Sequence, residues 1–582
     1  MISVNSTYKQ ACSANNRVSY VVAKYGLYNK EAKGKIDNII GTKQSFSNAN
    51  KLYNEVKDID LTYISCEPNR VKLNNKFCFI FDKNKTNSNE NIAYWSKEIS
   101  NYEGFFISNP KLTIIMNQEI DFSELTLYFQ EVCSFFTVFY YYNDSLIEKR
   151  NIVNNKYLVV TTNGVNTLTN LKFNKIEIEF IKTIEPFRYI KLNEIDFGSV
   201  NKFSSNQILD FNIIDELSID GSELSSNSLN LTLKNENGEF DILNPRNKLN
   251  MLQEKQEISM YYYLRVGGTF KELPLGTFLL KKISNNNTRI TIEAYDDTYF
   301  MNKLYYGSKF YDNVEITTIL NDLFTYFNYT KYSIDKELVG IKLTGYIPIV
   351  EMREALRLIT EAGGCVVSKT RYGTTNIFKT YDPQIKTFNR REIFSENHKK
   401  NLFNNTIDIN EYNYSDRKTN YLVYENTLDV GKHFIEFNEY PILQETLVKA
   451  DTSNNDFTIL GSYATSCLIE VKVKTKVILK ATLIKVTSTT QRRLKGINPN
   501  MEIDNYAIDK VDNTLITKDN STIIAQWKLG RGEVKYIFDT PVAPYIEVGD
   551  TCKYETKYNY KNDFVVTRIE FDNGIIQNVE GE

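Results

Sequence analysis

Histidine and tryptophan are scarce in this chain of 582 residues, which contains only His398 and His433, and only Trp95 and Trp527. His398 lies in the lysine-rich segment SENHKKN, and His433 directly follows a lysine. A zinc hydrolase or a histidine-based catalytic centre needs an HExxH motif or a Cys/His cluster, and the sequence has neither. We therefore expect both histidines to have surface or structural roles.

Cysteine is also infrequent, and its spacing is irregular. The seven cysteines are Cys12, Cys66, Cys78, Cys133, Cys365, Cys467 and Cys552. An odd number without any CxxC spacing argues against a disulfide framework and against a zinc site. We expect reduced thiols that are mostly buried and that bind no metal or other cofactor.

Long apolar runs and a charge excess are missing as well. The most apolar stretch, residues 135–142, has the length of a strand and is far too short for a membrane span. The first residues, MISVNSTYKQ, lack the regions of a signal peptide, so we expect synthesis in the cytoplasm. The formal net charge of -2 gives no basic field, so nucleic acid is not an expected partner.

Aromatic residues, in contrast, are abundant, with 40 tyrosines and 34 phenylalanines. Such side chains suit strands and large protein contacts, so the composition favours a mainly β protein that assembles with others. A chain of this length is too long for a single core, and we expect roughly three to five domains.

The stretch 214–245 has the clearest strand-and-turn pattern of the chain, and the other segments are arranged around it. Leu229, Leu231 and Leu233 alternate with polar residues, which predicts a strand with one buried face. The segment from Asn235 to Gly238 predicts a turn, because glycine adopts positive φ readily.

Strand and turn signals divide the chain into five parts. Residues 1–60 show little periodicity and predict an arm or a small domain. Residues 61–198 predict a jelly-roll-like β-sandwich. Its expected strands are TYISCEPNRVKL, KFCFIFD, LTIIMN, LTLYFQ, FFTVFYYY, YLVVTTN and IEIEF, with hairpin turns at Asn143-Asp144 and Asn163-Gly164.

The remaining parts are a β-barrel-like domain (199–310), a small α+β domain (311–388) and a second β region (389–582). Apolar residues at helical spacing predict two helices in the α+β domain, the second ending at Gly363-Gly364, and a hairpin of CVVS and NIFK follows. The second β region contains the long run EVKVKTKVILKATLI with one break. It also predicts an edge strand with a tight turn at 541–550, and a closing hairpin through Asn573-Gly574.

Candidate chemical sites are few. No GxSxG, Walker A or GxGxxG motif occurs. The segment from Glu216 to Gly221 weakly resembles a calcium loop, but Asn227 occupies the place of the bidentate glutamate, so a strand and turn is favoured. Asp296 and Asp297 are paired carboxylates, yet neighbours in a strand point to opposite faces, which favours a polar strand end. We therefore predict no catalytic residues.

Tyr94 and Trp95, in NIAYWSKE, are the candidate binding residues. Exposed aromatic side chains on a sandwich stack on sugar rings, so the pair is a candidate contact for a bacterial cell-surface glycan. A single tryptophan in a sandwich is also often part of the core. Both alternatives remain open at this point.

Several motifs, taken in order, resemble tail proteins encoded by phages and prophages of Gram-positive, clostridia-like bacteria. The segment YISCEPNRVKLNNKF stands where that group has a LEPNRWKLDG-like start, with Arg70-Val71 in place of its Arg-Trp. The segments NKIEIEFIKTIEPFRYIKLNEIDFG and SLNLTLKNENGEFDILNP follow, and then ITIEAYDD and PYIEVGD. Beyond the sandwich, the chain resembles baseplate hub and tail-tip proteins of long-tailed phages and related contractile particles.

This resemblance implies a fold and a function. It implies β-barrel-like domains, three copies around the tail axis, and contacts with the tail tube and neighbouring baseplate proteins. The implied function is structural and not enzymatic, in a particle that is assembled in the bacterial cytoplasm. The alternative is a receptor- or glycan-binding tail protein that acts through the N-terminal sandwich.

The missing nucleophile, base and metal motifs predict that the protein does not hydrolyse cell-wall polymers. Purified protein incubated with peptidoglycan should release no soluble fragments above a heat-treated control. Release of fragments would contradict the prediction, and Asp296→Asn and Asp297→Asn would then show whether the paired carboxylates are responsible.

Overall fold

The computed structural model describes most of the chain. The described residues are 2–14, 16–28, 30–45, 47–49, 52, 62–63, 65, 67–68, 77–78, 93–122, 125–162, 171–235, 238, 255–286, 288–379, 386–400, 406–494, 508–529, 534–573 and 576–582. The predicted fold class is confirmed, because the structure is mainly β with many sheets and few helices. Among the described helices, none is both long and apolar enough to cross a bilayer.

The strands of the first half are β1 Ser19–Tyr28, β2 Ile36–Gly41, β3 Thr62–Tyr63, β4 Phe77–Cys78, β5 Tyr94–Ile99, β6 Lys111–Phe122, β7 Thr126–Phe129, β8 Cys133–Tyr142, β9 Ser145–Ile152, β10 Val159–Thr161, β11 Leu171–Thr183, β12 Tyr189–Asp196, β13 Gly198–Phe203, β14 Ile208–Glu216, β15 Ser228–Lys234, β16 Glu257–Val266, β17 Thr269–Asn286 and β18 Arg289–Tyr295.

The strands of the second half are β19 Leu304–Tyr305, β20 Tyr311–Glu315, β21 Tyr332–Ile334, β22 Lys342–Gly345, β23 Val350–Glu351, β24 Val366–Lys369, β25 Thr375–Phe378, β26 Thr387–Phe388, β27 Ser395–Glu396, β28 Lys399–Lys400, β29 Thr406–Leu428, β30 Gly431–Glu436, β31 Ile442–Lys449, β32 Phe457–Ser462, β33 Ser466–Val471, β34 Thr475–Leu494, β35 Ile508–Val511, β36 Val534–Pro541, β37 Thr551–Glu555, β38 Lys561–Asp572 and β39 Ile576–Gly581. The α-helices are α1 Ser6–Cys12, α2 Lys30–Gly34, α3 Ile316–Tyr326, α4 Met352–Gly363 and α5 Ser521–Leu529.

A sheet of fourteen strands forms the largest body. Its main path runs β13-β1-β16-β17-β18-β15-β14-β38-β39-β36-β27, and β26, β28 and β37 branch from it. Three separate parts of the chain supply these strands: β1 from the N-terminal part, β13 to β18, and β26 to β28 with β36 to β39 from the C-terminal part. Their inward side chains share one core, which includes Tyr25, Leu231, Met260, Phe538 and Phe571.

Two further sheets pack around a second core and form the sandwich. One has the order β10-β7-β12-β5 and the other β2-β6-β11-β8-β9. Ile114, Phe136 and Ile178 are fully buried between them. Asn143 and Asp144 have φ angles of 46° and 63° and form the predicted hairpin turn between β8 and β9. TYISCEPNRVKL, KFCFIFD and Asn163-Gly164 lie largely or wholly outside the described residues.

Helices α3 and α4 pack on small sheets and form the α+β part. Their apolar stripes are buried as predicted, with Ile319, Leu323 and Ile359 fully buried in one core. Helix α4 ends at Gly364, whose φ of 61° requires the left-handed conformation that glycine adopts without strain. Strands β24 and β25 form the predicted hairpin.

A long antiparallel ribbon of β29 and β34 carries a separate lobe. Strands β31 and β35 complete the ribbon sheet, and β30, β33 and β32 form a second sheet over the lobe core. The predicted alternating run EVKVKTKVILKATLI is divided between β33 and β34, with its break at residues 472–474. Strands β38 and β39 form the predicted closing hairpin at Asn573.

Three features differ from the sequence-based expectations. Residues 1–60 do not form one arm or domain, because β1 lies between β13 and β16 in the large sheet and β2 pairs with β6 of the sandwich. The segment 541–550 is not an edge strand, because only Pro541 belongs to a strand, β36. The carbonyls of Pro544 and Ile546 accept from the Arg371 side chain, and only Gly549 and Asp550 bond to the backbone of β38, at Val566. Helix α5 is not indicated by the sequence, because polar residues, among them Lys528, occupy some of its buried positions and interrupt the apolar stripe.

The pairing of β2 with β6 predicts that a sandwich fragment must begin near residue 30. Lys33 Nζ lies 2.7 Å from Glu194 and 2.8 Å from Asp196, and both carboxylates are buried. A fragment of residues 61–198 lacks strand β2 and the cation that pairs with these two buried carboxylates, which costs about 3–5 kcal/mol. We expect residues 30–197 to unfold at a clearly higher urea concentration than residues 61–198. Equal midpoints would contradict the role of β2 and Lys33.

Candidate functional site

The side chain of Arg371 joins three parts of the chain. It lies at the turn between β24 and β25, and only 1% of it is exposed. Its Nε atom is 3.3 Å from Asp215 Oδ2 on β14, while Nη2 donates to the carbonyl of Ile546 at 2.5 Å and Nη1 to that of Pro544. The guanidinium is thus paired with a carboxylate and two carbonyls. We call Arg371, Asp215, Pro544 and Ile546 the Arg371 clasp.

The clasp lies in a region with almost no water contact, and this affects the protonation of Asp215. Burial raises the pKa of Asp215 to about 6, although the neighbouring Arg371 guanidinium opposes the rise. Because an ionised carboxylate without solvent is costly, the guanidinium is required at neutral pH to keep this charge inside the protein.

The segment 541–550 folds tightly around the clasp. The backbone N–H of Arg371 donates to Glu547 Oε1 at 3.0 Å, and the backbone N–H of Glu547 donates to Asp550 Oδ2 at 2.8 Å. Gly549 has a φ of 89°, and a Cβ atom there would lie 2.8 Å from the ring of Phe378. A side chain at this position therefore fits neither the backbone conformation nor the space.

A second buried junction connects helices α4 and α5. Glu361 accepts hydrogen bonds from Arg357 Nη1 at 2.9 Å and from Asn513 Nδ2 at 3.0 Å, and it lies 2.8 Å from Lys528 Nζ. The side chains of Glu361 and Lys528 are 4% and 3% exposed. The carboxylate is thus fully paired, which fixes α5 against α4.

The paired carboxylates of the sequence, Asp296 and Asp297, bind different partners. Asp296 accepts from the backbone N–H groups of Asn227 and Thr298 and caps a short 3₁₀ helix. Asp297 lies 2.5 Å from Lys369 Nζ. Burial raises the pKa of Asp296 to about 6 and lowers the pKa of Lys369. These contacts agree with the polar strand end that the sequence favours.

Tyr94 belongs to the apolar core of the sandwich, and Trp95, its neighbour on β5, is buried but lies outside that core. Tyr94 is 1% exposed, and its hydroxyl donates to the carbonyl of Thr42 at 3.0 Å. Trp95 is 3% exposed, with Lys191 Nζ 4.4 Å from its ring centre and the ring of Tyr189 against it. Because neither ring is exposed, stacking on a sugar would require both residues to leave their buried positions.

The other residues considered from the sequence have structural contacts. His398 Nε2 bonds with the Tyr554 hydroxyl at 2.9 Å, and His433 Nε2 bonds with the carbonyl of Asp429 at 2.8 Å. Between Glu216 and Gly221, the Asp220 carboxylate accepts hydrogen bonds from the hydroxyls of neighbouring serines, and these bonds stabilise a turn. The five cysteines with described side chains are buried free thiols. Within the described residues, no group of three or more His, Cys, Asp or Glu side chains is arranged to hold a metal ion.

One face of the large sheet carries half-exposed aromatic side chains. The rings of Tyr20 and Tyr263 stack at 4.8 Å, and Phe270 packs edge-on against Tyr20 at 5.0 Å. Lys24 Nζ lies 3.6 Å from the ring centre of Tyr261 and pairs with Glu272. We call Tyr20, Tyr261, Tyr263 and Phe270 the aromatic face. Because β1 contributes to it, this face contains residues that the sequence assigned to a separate arm.

Sequence reasoning missed both buried junctions. Arg371 stands in a turn motif, RYG, that is typical of a surface hairpin. Lys528 belongs to a helix without an apolar stripe. For Glu361, a signal existed: it lies three residues after Leu358 and beside Ala362, on the border of the apolar face of α4.

Removing the guanidinium of the clasp should be strongly destabilising. Arg371→Met leaves Asp215 buried without its cation, so we expect a loss of about 3–5 kcal/mol of unfolding free energy at pH 7.5. The matched control Arg390→Met removes a half-exposed pair with Glu396 and should cost less than about 1 kcal/mol. Urea unfolding followed by circular dichroism measures both changes.

The same variant should depend on pH in a defined direction. Without Arg371, the pKa of Asp215 rises above its value of about 6 in the intact protein, so acid neutralises the unpaired charge. The destabilisation by Arg371→Met should therefore be smaller at pH 5 than at pH 7.5, and Asp215→Asn should reduce it at pH 7.5. A loss that is equal at both pH values would contradict the assigned role of the Asp215 charge.

Comparisons with known proteins give matches among solved structures. No protein-family model matches the chain, and no curated protein matches it. Among solved structures, a 43 kDa tail protein of a Shewanella oneidensis prophage has 11% identity and a TM-score of 0.36, covering 66% of this chain and 95% of that one. A Neisseria meningitidis tail protein has 9% identity and a TM-score of 0.36, with coverages of 66% and 93%. A Listeria monocytogenes prophage tail protein has 10% identity and a TM-score of 0.30, with coverages of 66% and 91%.

Proposed function

We propose that the chain is a structural component of the baseplate hub or tail tip of a phage tail or phage-tail-like particle, where it links the tail tube to the baseplate. The observation that carries the proposal is the fourteen-stranded sheet. It unites strands from three parts of the chain and bears the aromatic face on one side. A protein that transmits load between neighbours needs such a continuous body, and it needs surfaces for assembly.

The buried junctions support this role. The Arg371 clasp ties the α+β hairpin to β14 and to the segment that leads into β37, and Glu361 ties α4 to α5. Separating the two sides of either junction would leave a buried charge without its partner, so movement of these parts relative to each other costs free energy. The ordered sequence motifs, from the sandwich to the C-terminal hairpin, support placing this rigid body in a tail.

The aromatic face supports assembly around an axis. Tyrosine and phenylalanine are enriched in protein interfaces. In the single chain the three tyrosines of this face are half-buried and Phe270 is exposed, so part of each ring is open to a partner. The net charge of -2 lets identical subunits approach without strong repulsion. We infer that residues 200–292, with β1 and part of the C-terminal β region, form the ring-making body, and that three copies surround the tail axis.

Deleting the gene from the genome that encodes the particle tests the proposal. We expect particles without the chain to lack a complete tail tip and to be restored by the wild-type protein supplied in trans. Complete, stable tails that fail only to attach to cells would contradict the structural role. That outcome would favour the alternative, a receptor- or glycan-binding protein that acts through the sandwich.

A charge on the aromatic face should block assembly without unfolding the protein. In Tyr263→Asp, the half-exposed ring is replaced by a carboxylate that an interface would desolvate, so we expect failure to restore complete tails. The control Tyr558→Asp changes a tyrosine that is 71% exposed in the turn between β37 and β38, away from the aromatic face. This variant should restore assembly. The melting temperature of Tyr558→Asp should remain near that of the wild type. That of Tyr263→Asp should fall slightly, because the new carboxylate lies opposite Glu272 in the sheet, while its circular dichroism remains that of the folded protein. Normal assembly with Tyr263→Asp would show that this face is not an interface.

A further inference from the structure

A cleft of about 610 Å³ lies where the ribbon meets the α+β part. This volume falls within the range of about 300–1,000 Å³ that is typical of small-molecule sites. Its walls come from five distant elements: the approach to β20, strand β22, strands β29 and β34, and the turn before α5. The lining residues are Phe310, Asp312, Thr344, Glu411, Tyr412, Asn413, Tyr414, Ser415, Arg417, Thr489, Thr517, Lys518 and Asp519.

The lining includes aromatic side chains that are held in place. Phe310 and Tyr414 are buried, and their rings pack edge-on at 5.4 Å. Tyr412 is half-buried, lies nearly parallel to Tyr414, and donates its hydroxyl to Asp512 Oδ1 at 2.6 Å. Because the hydroxyl is fixed at its far end, the ring of Tyr412 has a defined orientation before any ligand binds.

Polar and charged groups complete the lining. Glu411 is buried and fixed by the Ser521 hydroxyl at 2.6 Å. Arg417 Nη2 lies 3.8 Å from Asp312 Oδ2, and both side chains are largely exposed. Lys518 and Asp519 are exposed on the turn before α5. The cleft therefore offers both acceptors and donors of hydrogen bonds next to aromatic rings.

This chemistry narrows the class of ligand. The charges balance, because Glu411 pairs with Arg493 at 3.6 Å and Asp312 and Asp519 stand against Arg417 and Lys518. The cleft therefore has no excess of cations to favour a phosphate or a nucleic acid. The polar lining leaves an apolar ligand with many unsatisfied neighbours. A sugar ring, in contrast, has C–H faces that pack on a tyrosine and hydroxyl groups that donate to carboxylates and accept from arginine or lysine. We propose that this cleft binds a neutral oligosaccharide, with Tyr412 as the stacking platform and Asp519 and Arg417 as hydrogen-bonding groups.

This site is independent of the proposed tail function and of Tyr94 and Trp95. Those two residues belong to the sandwich and are buried, whereas the cleft is formed by the ribbon and the α+β part. Failure of the structural proposal would leave the cleft and its chemistry unchanged, and the two are tested by different measurements.

The test uses the full-length protein and a panel of neutral oligosaccharides built from glucose, galactose or N-acetylglucosamine, with binding measured by saturation-transfer NMR and calorimetry. We expect at least one member to bind. Tyr412→Ala should weaken its binding by about tenfold or more, and Asp519→Asn by roughly threefold to tenfold.

Matched controls come from the same strand. Tyr421 is also half-buried on β29, and its hydroxyl donates to Glu439 at 2.6 Å, so Tyr421→Ala controls for the loss of a tyrosine outside the cleft. Asp416 is exposed beside Lys485, so Asp416→Asn controls for the loss of a carboxylate. Both controls should bind as the wild type does. No binding of any panel member would overturn the proposal, as would binding that both cleft variants leave unchanged, or preferential binding of a tetra-alanine peptide.

Discussion

The guanidinium of Arg371 is a charge with almost no access to water, and three parts of the chain are arranged around it. Asp215 supplies the opposite charge, and the carbonyl groups of Pro544 and Ile546 complete its hydrogen bonds. Burying such a group is costly unless every partner is in place. The β24–β25 hairpin, β14 and the segment 541–550 must therefore keep one arrangement, which accounts for the tight turn at Gly549.

This constraint links the sheet to the other parts. Strands β14 and β38 are neighbours in the large sheet, and the clasp connects them to the α+β part, where the Glu361–Lys528 pair fixes α5. The ribbon pairs with β35 just before α5, so its position relative to the α+β part is fixed as well. A rigid connection between the large sheet, the α+β part and the ribbon follows from these buried contacts. Such a body suits a scaffold that holds neighbouring proteins at fixed positions.

Local patterns were sufficient to predict much of the fold. The alternation at Leu229, Leu231 and Leu233, the stripes of α3 and α4, and the turn at Asn143 each depend on neighbouring residues, so a single sequence reveals them. The position of β1 depends on partners about 175 and 240 residues away along the chain, so no local signal shows it. Arg371 and the cleft were missed for the same reason, because their partners come together only in the folded chain.

We propose that the large sheet is the assembling body of a tail component, and a reconstruction of the intact particle by electron cryo-microscopy would locate it. We expect three copies on the tail axis, with the aromatic face containing Tyr20 and Tyr263 buried against a neighbouring subunit or the tail tube. Finding this face in solvent at the periphery of the particle, with the sandwich directed at the axis, would rule out this role for the sheet.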